Sequence, residues 1–299
     1  MENIKHTIIF FAFALGFLSD AIAAPPISDL RRTPDPVLQR RLEGAIRYLG
    51  LSRAVLDRRL AVALVDVTRV HRPRLAAVNG DEMLYAASLP KIAILLGAFV
   101  EIERGRIALD NDTRASLTRM IRVSSNEAAT EMLRRVGMGR LAAILRSPRY
   151  GLYDSRLNGG LWVGKEYGRA AAWRRDPLHQ LSHGATAFQT ARFYYLLEAG
   201  QLVAPALTRV MKEMLSKPGI NHKFVKGLSD RTRCRMFRKS GTWRHWHADS
   251  ALIEHAGHKY IAVALAADPS GGEWMTRLIR SLDAIIVAPQ MAVSDGVFR

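Results

Sequence analysis

The sequence predicts a two-lobed α/β (α+β) fold, in which a five-stranded, mostly antiparallel sheet is flanked by N- and C-terminal helices and joined to an all-helical lobe. Segments rich in β-formers occur near both ends of the chain, and the stretch between them has helical periodicity. Hydrophobic residues make up 48% of the 299 residues and charged residues 24%, which is typical of a globular chain with a large core. We expect one domain over 25–299, with an α/β lobe over about 36–80 and 206–299 and a helical lobe over about 85–205.

The elements follow from the spacing of apolar residues and from the residues that begin and end each run. Asp35 followed by Pro36 is a typical helix start, and Gly50 is a typical helix end. Runs of β-formers bounded by turn residues predict two strands early in the chain and three late in it. The predicted helices cover 36–49, 91–104, 113–122, 126–136, 138–146, 185–200 and 273–286, and the predicted strands cover 59–68, 75–80, 235–243, 247–254 and 260–267, with a Gly- and Tyr-rich loop over about 148–168.

A leader segment is predicted over 1–24. Lys5 precedes an apolar run over 7–18, and small residues up to Ala23 and Ala24 offer a cleavage site. The run has about 12 residues, whereas a membrane-spanning helix needs about 20. We therefore expect a signal peptide, a periplasmic or secreted mature protein and no stable membrane span after cleavage, with an uncleaved anchor as the alternative.

The chain is strongly basic, since 44 Lys and Arg against 27 Asp and Glu give a net charge of +17. Such a field favours electrostatic contact with anionic envelope polymers and capture of carboxylate substrates. The basic residues are scattered and are not interleaved with stacking aromatics. We therefore expect no nucleic acid as a partner.

Ser88 and Lys91 stand three positions apart at the start of the most apolar predicted helix. Residues three apart lie on one face of a helix, so the Lys amine can reach the Ser hydroxyl. A buried amine loses its proton more readily and can then serve as base for the Ser. A Ser and a Lys at this spacing also occur by chance, so the pair indicates a catalytic site only when further motifs accompany it.

Two further motifs accompany this pair: Ser-Ser-Asn over 124–126 in the helical block, and Lys-Ser-Gly-Thr over 239–242 on a predicted strand. As a set and in this order, the three motifs resemble the active site of the penicillin-recognising serine enzymes, which include the class A β-lactamases and the penicillin-binding D-Ala-D-Ala peptidases. The resemblance spans about 36–290 and includes the order of strands and helices. It implies a β-lactamase-like fold.

The resemblance implies catalytic roles for four side chains. Ser88 corresponds to the nucleophile that forms the acyl ester, and Lys91 to its partner base. Ser124 corresponds to the hydroxyl that relays a proton to the leaving amide nitrogen, and Lys239 adds positive charge behind it.

The resemblance also implies the contacts to substrate. Asn126 would bind the amide of the substrate side chain and brace the base, and the Ser240 hydroxyl would bind the substrate carboxylate. Gly241 would let the ligand lie flat along the strand. The backbone N–H groups of Ser88 and Thr242 would form the oxyanion hole.

Two departures from the family pattern indicate a divergent branch. Ser125 stands where class A enzymes usually have Asp, which changes the local support of the motif. The interval from Ser88 to Ser124 is 36 residues, which is shorter than in typical class A enzymes and implies a trimmed helical lobe.

Release of the ester separates a lactamase from a peptidase. Class A enzymes use a loop Glu followed four residues later by Asn, and here Asp154 and Asn158 have that spacing. Asp154 is one methylene shorter, so a water activated by it would have to sit closer. Glu166 is the rival acid, and Asp154 acting only as an ion-pair partner of an Arg is the alternative.

The run 245–249 reads His-Trp-His-Ala-Asp, which matches the opening of a metallo-β-lactamase zinc motif. We expect it instead to continue a hairpin with His245 and His247 on one strand face, and we predict no metal. One of these His, or Arg244, can contact a substrate carboxylate. Cys234 is the only cysteine, so we expect no internal disulfide and a buried, small apolar side chain there.

The expected function is that of a class A type hydrolase that opens a β-lactam or related amide through an ester on Ser88, as a monomer without a cofactor. The first alternative is a D-Ala-D-Ala peptidase acting on peptidoglycan stem peptides. A non-catalytic penicillin-binding or envelope-adhering module is the second. Slow ester accumulation would indicate the peptidase, and no ester at all the binding module.

Overall fold

The computed structural model describes residues 27–288, so the predicted signal peptide over 1–24 lies outside the described residues. The helices are α1 (Pro36–Tyr48), α2 (Ser52–Leu56), α3 (Lys91–Glu103), α4 (Asn111–Arg122), α5 (Asn126–Val136), α6 (Met138–Arg146), α7 (Ala187–Glu198), α8 (Pro205–Leu215), α9 (Phe224–Gly227) and α10 (Gly271–Val287). The strands are β1 (Leu60–Asp66), β2 (Arg74–Val78), β3 (Leu84–Tyr85), β4 (Tyr153–Asp154), β5 (Gly159–Gly160), β6 (Trp162–Val163), β7 (His183–Ala185), β8 (Arg235–Trp243), β9 (Trp246–His255) and β10 (His258–Ala267).

Five strands form the main sheet in the order β2-β1-β10-β9-β8, and every neighbouring pair is antiparallel, which confirms the predicted fold class. β1 is buried along its whole length. Its side chains alternate between two cores, because Leu60 and Leu64 face α1 and α10 whereas Ala61 and Val65 face α7 and the helical lobe. Helices therefore cover both faces, which explains why this strand reads as an unbroken apolar run.

Local signals in the sequence account for the first helix and for the central one. Asp35 caps α1 as predicted, since its carboxylate accepts hydrogen bonds from the backbone N–H of Val37 and of Leu38 at 2.8 Å. α3 is buried at 11 of its 13 positions and packs against α4, α5, α6 and α8. The residues before it, Ser88 and Leu89, approach Gly241 of β8, so the N-terminal end of α3 lies close to the main sheet. No helix between residues 27 and 288 is long and apolar enough to cross a bilayer.

The sequence-based prediction missed α8, and it described 148–168 as irregular although β4, β5 and β6 lie there. The buried carboxylate of Asp176 connects segments of this region through hydrogen bonds. It accepts hydrogen bonds from the Tyr153 hydroxyl at 2.7 Å and from the backbone N–H of His179 at 2.8 Å. The His179 ring in turn lies 2.9 Å from Asn158 Oδ1. Side-chain hydrogen bonds of this kind leave no periodic signal in a sequence.

The expectation that His245 and His247 share one strand face is wrong. β8 ends at Trp243 and β9 begins at Trp246, so Arg244 and His245 form the two-residue turn between them. Arg244 has a φ of +52°, as tight hairpin turns require. Only His247 lies on a strand.

Candidate active site

Ser88 lies in the turn that leads from β3 into α3. The turn includes Ala87 with a φ of +50°, and the Ala86 backbone N–H donates to the His183 carbonyl of β7 at 2.9 Å. Ser88 is half-buried in the wall of a cavity of about 570 Å³. A cavity of that size accommodates a small-molecule substrate.

Lys91 is the first residue of α3, and its side chain is fully buried. Its Nζ donates to the carbonyl of Ser124 at 2.6 Å, to the carbonyl of Ser125 at 3.2 Å and to Oδ1 of Asn126 at 2.8 Å. It also lies 3.3 Å from the Ser124 hydroxyl oxygen. The structure thus brings the first motif to the second, although no hydrogen bond among the described residues joins the amine to Ser88.

The Lys91 amine is poised to exchange a proton near neutral pH. Burial lowers the pKa of Lys91 to about 7, and the negative charge of Glu127 acts in the opposite direction. The ring of Tyr167 lies 4.5 Å from the amine nitrogen. An amine with this pKa is partly neutral at pH 7 and can act as a general base.

We expect the rate of acylation to rise with pH through about 7, the pKa to which burial lowers Lys91. Below that pH the Lys91 amine is protonated and cannot accept a proton, so the rate falls about tenfold per pH unit. A stopped-flow pH profile of acylation measures this. Lys91→Arg keeps its charge at every accessible pH and should not acylate. A flat wild-type profile would contradict the role of Lys91.

Ser124 is held between α4 and α5 with a φ of +60°. Lys239 Nζ donates to the Ser124 hydroxyl oxygen at 2.9 Å and to the Ser240 carbonyl at 2.7 Å. Burial lowers the pKa of Lys239 well below its ordinary value, and the charge of Lys91 lowers it further. Two lysine amines therefore face one hydroxyl, which is an arrangement suited to moving a proton through it.

Gly241 brings β8 into direct contact with the Ser88 turn. A Cβ at this position would lie 2.1 Å from the backbone oxygen of Ala86 and 2.8 Å from the backbone nitrogen of Ser88. No larger residue fits without moving the backbone. The next residue, Thr242, lines the same cavity as Ser88.

The Ser240 hydroxyl has a partner that sequence reasoning missed. His222 Nε2 lies 3.1 Å from Ser240 Oγ. Burial lowers the pKa of His222 to about 4, and the charges of Arg238 and Lys223 lower it further, so the ring is neutral at pH 7. His222 precedes the short helix α9 and carries no motif that would have identified it.

A buried ion pair fixes β8 to β9 and to the segment before α9. Arg238 donates from Nε and Nη2 to the Asp249 carboxylate, both at 2.7 Å. Arg238 also donates to the carbonyl of Ile220 at 3.0 Å, and the backbone N–H of Phe224 donates to Asp249 at 3.1 Å. Through these bonds the pair positions the strand that carries Lys239 to Thr242.

The cavity beside Ser88 is aromatic and basic. Its lining residues come from β3, the Ser88 turn, the start of α5, the loop after β6, β7 with the residue before it, and the β8–β9 hairpin. Among the described residues that line it, there is no Asp or Glu. They are Tyr85, Ala87, Ser88, Asn126, Lys165, Tyr167, Gly168, Arg169, Ser182, His183, Thr242, Trp243 and Trp246.

Three predicted or rival residues of the loop lie elsewhere. The Asp154 carboxylate pairs with Arg156 at 3.1 Å, and Asn158 is engaged in the loop contacts described above. Glu166 pairs with Arg134 through two hydrogen bonds of 2.6 and 2.7 Å. None of these three residues is among the described residues that line the Ser88 cavity. A role of Asp154 in deacylation stays a prediction.

Other reactive side chains are not assembled into a centre. Among residues 27–288, no group of three or more His, Cys, Asp or Glu is placed to hold a metal ion. Cys234 is half-buried, not buried as expected. Burial raises the pKa of its thiol to about 11, so the reactive thiolate is scarce at neutral pH.

Comparison with known proteins gives a family and a fold. A model of the β-lactamase enzyme family matches residues 112–288, more than half of the chain. Similar solved structures include a β-lactamase from Sphaerobacter thermophilus (16% identity, 80% of this chain and 97% of that one, TM-score 0.62). They also include PBP-A, with 17% identity over 87% of this chain and 97% of that one (TM-score 0.62). A third is a variant of the last common ancestor of Gram-negative bacteria β-lactamase class A, with 20% identity over 83% of this chain and 97% of that one (TM-score 0.62). At these identities the likeness establishes the fold. No curated protein matches the chain.

Proposed function

The chain belongs to the β-lactamase enzyme family, and on that premise we propose that it is a serine hydrolase that opens a β-lactam or a related amide through an ester on Ser88. One observation carries the proposal: Lys91 and Lys239 lie 3.3 and 2.9 Å from the Ser124 hydroxyl oxygen, and Ser88 lines the adjoining cavity. The solved structures of similar fold support it, since they include β-lactamases and a PBP-A variant described as an acyl-enzyme complex with penicillin G.

In the proposed reaction, the Ser88 hydroxyl oxygen bonds to the amide carbon while its proton passes to the neutral Lys91 amine. The backbone N–H groups of Ser88 and Thr242 stabilise the negative charge on the carbonyl oxygen. The C–N bond then breaks, and the leaving nitrogen takes a proton from Ser124, which is resupplied from Lys91. Asn126 and Ser240 hold the substrate amide and carboxylate, and Lys239 keeps Ser124 oriented.

The second candidate function is a penicillin-binding D-Ala-D-Ala peptidase, which also acylates but releases a penicilloyl ester slowly. A specific observation favours it over a fast lactamase. Fast hydrolysis of the ester needs a base beside the attacking water. Asp154 and Glu166 are both paired with Arg side chains, and neither lines the Ser88 cavity.

The proposal is tested by mixing the purified protein with benzylpenicillin and a chromogenic cephalosporin and recording turnover and intact mass. We expect a covalent adduct of one acyl group that Ser88→Ala abolishes entirely, because the hydroxyl is the atom that forms the ester. Ser229→Ala is the matched control, since it changes an exposed Ser that does not line the cavity. Wild type that shows neither turnover nor an adduct would contradict the nucleophile and leave the non-catalytic binding module.

The same experiment separates the two enzymes. Multiple turnover without accumulated adduct indicates a lactamase, and an adduct trapped only in Asp154→Asn would assign deacylation to that carboxylate. A stoichiometric adduct with slow release, together with D-Ala release from a peptide ending in D-Ala-D-Ala, indicates the peptidase.

The proposal places the mature protein in the periplasm or outside the cell as a monomer. The basic and apolar start of the sequence supports export. The net charge of +17 supports weak electrostatic contact with anionic envelope polymers.

A further inference from the structure

The Ser88 cavity lies on one side of the reacting centre. Asn126 and Thr242 line it together with Ser88, whereas Ser124, Lys239 and Ser240 do not. In the proposed function Asn126, which lines the cavity, binds the amide of the acyl side chain, and Ser240, which does not line it, binds the substrate carboxylate. The cavity is therefore the compartment that receives the acyl side chain. The proposed function is needed here only for the orientation of the substrate, with its acyl side chain in the cavity.

Aromatic rings form the walls of this compartment. Tyr85 lies edge-on to Trp246, with ring centroids 6.1 Å apart, and the Tyr167 ring lies 4.3 Å from that of His183. Trp243 at the hairpin end is more than half exposed and completes the wall. Such walls favour a side chain with a ring or another apolar portion.

The charges in the compartment have one sign. Lys165 donates only to the Gly168 carbonyl, at 3.0 Å, and Arg169 forms no ion pair within the described part of the chain. Their neighbour Glu166 does not line the cavity and is neutralised by Arg134. Burial lowers the pKa of His183 to about 4, and the positive charge of Lys165 lowers it further, so this ring is neutral at pH 7 and adds no charge to the cavity wall.

A side chain that fills this compartment meets two cations without a carboxylate to balance them. An additional negative charge on the ligand gains Coulomb attraction there, and a positive one is repelled. We propose that the acyl side of the Ser88 site selects substrates whose side chain carries a carboxylate beside an apolar ring, with Arg169 as the residue that recognises the carboxylate.

Two penicillins that differ by one group test this directly. Carbenicillin is benzylpenicillin with a carboxylate on the carbon beside the phenyl ring, so the bicyclic core and its own carboxylate are the same in both. Calorimetric titration of the Ser88→Ala protein measures binding without chemistry. We expect carbenicillin to bind about fivefold more tightly than benzylpenicillin, the size of effect expected of one partly exposed ion pair. About 1 M salt should remove the difference, because the screening length is then about 3 Å.

Two further variants in the Ser88→Ala background locate the effect. Arg169→Glu should reverse the preference, so that benzylpenicillin binds more tightly. Arg209→Ala, which removes an exposed Arg of α8 that does not line the cavity, should retain the preference. Equal affinities for the two penicillins, or a preference that survives Arg169→Glu, would overturn the inference. A wild type that shows neither turnover nor an adduct overturns the proposed function separately, since that result leaves the binding comparison intact.

Discussion

Gly241→Ala is expected to reduce the rate of Ser88 acylation by about 100-fold or more. The new Cβ would lie 2.1 Å from the Ala86 backbone oxygen, a contact that no side-chain rotation can relieve. β8 must therefore move away from the Ser88 turn. That movement separates the Thr242 and Ser88 backbone N–H groups, and a displacement of about 1 Å at such donors costs about two orders of magnitude in rate.

The measurement is the second-order rate constant of adduct formation with benzylpenicillin, together with the melting temperature. Gly139→Ala is the matched control, because a Cβ there meets nothing within 4 Å and the residue lies in α6. The control should acylate like the wild type and unfold at the same or a slightly higher temperature. A Gly241→Ala protein that acylates within about threefold of the wild type would show that the close approach is not needed.

Asp249→Ala is expected to lower the free energy of unfolding by about 3–5 kcal/mol. The substitution leaves the Arg238 guanidinium buried without its counter-ion, since the two side chains are 2% and 0% exposed. The backbone N–H of Phe224 also loses its acceptor. Chemical denaturation measures the change, and loss of acylation should follow because β8 is no longer fixed.

Asp230→Ala provides the control at equal geometry. Asp230 pairs with Arg280 at 2.7 Å, the same distance as in the buried pair, but both side chains are largely exposed. Its removal should leave the denaturation midpoint almost unchanged, because exposed pairs contribute little. A double variant with Arg238→Met and Asp249→Leu should recover stability, since it removes both charges together. Equal losses in the buried and exposed variants would contradict burial as the cause.

The sheet and most helices can be predicted from the sequence because their segments are long enough to show a regular apolar pattern. The residues that begin and end these segments agree with that pattern. β1 and α3 are examples, since both read as apolar runs of unambiguous length. α8 begins with Pro205, but the residue before it, Ala204, has no side chain that can cap a helix, and the strands β4 to β6 are too short to show any periodicity. His245 was misplaced because a two-residue turn shifts the alternation of everything after it.

The residues of the candidate site also form two groups, those that sequence motifs predict and those that only the structure reveals. Ser88, Lys91, Ser124 and Lys239 could be proposed as site residues because three short motifs occur together in one order. His222, Asp249 and Asp176 could not be identified, because each acts through a contact distant in sequence: Ser240, Arg238 and Tyr153. Single polar residues carry no pattern, so only the folded chain reveals them.

The burial of α3 affects which parts of the backbone open readily to solvent and where the sequence can vary. Amide hydrogens within 91–103 should exchange only through global unfolding, because 11 of these 13 residues are buried. The segment 165–169, four of whose five residues line the Ser88 cavity, is exposed at its end and should exchange far sooner. Lys91 thus belongs to the slowest-opening part of the molecule and Ser88 closely precedes that part, whereas the cavity-lining residues of 165–169 belong to a fast-opening part. On the proposed function, substitutions in that loop would alter substrate range while Ser88 and Lys91 keep their positions.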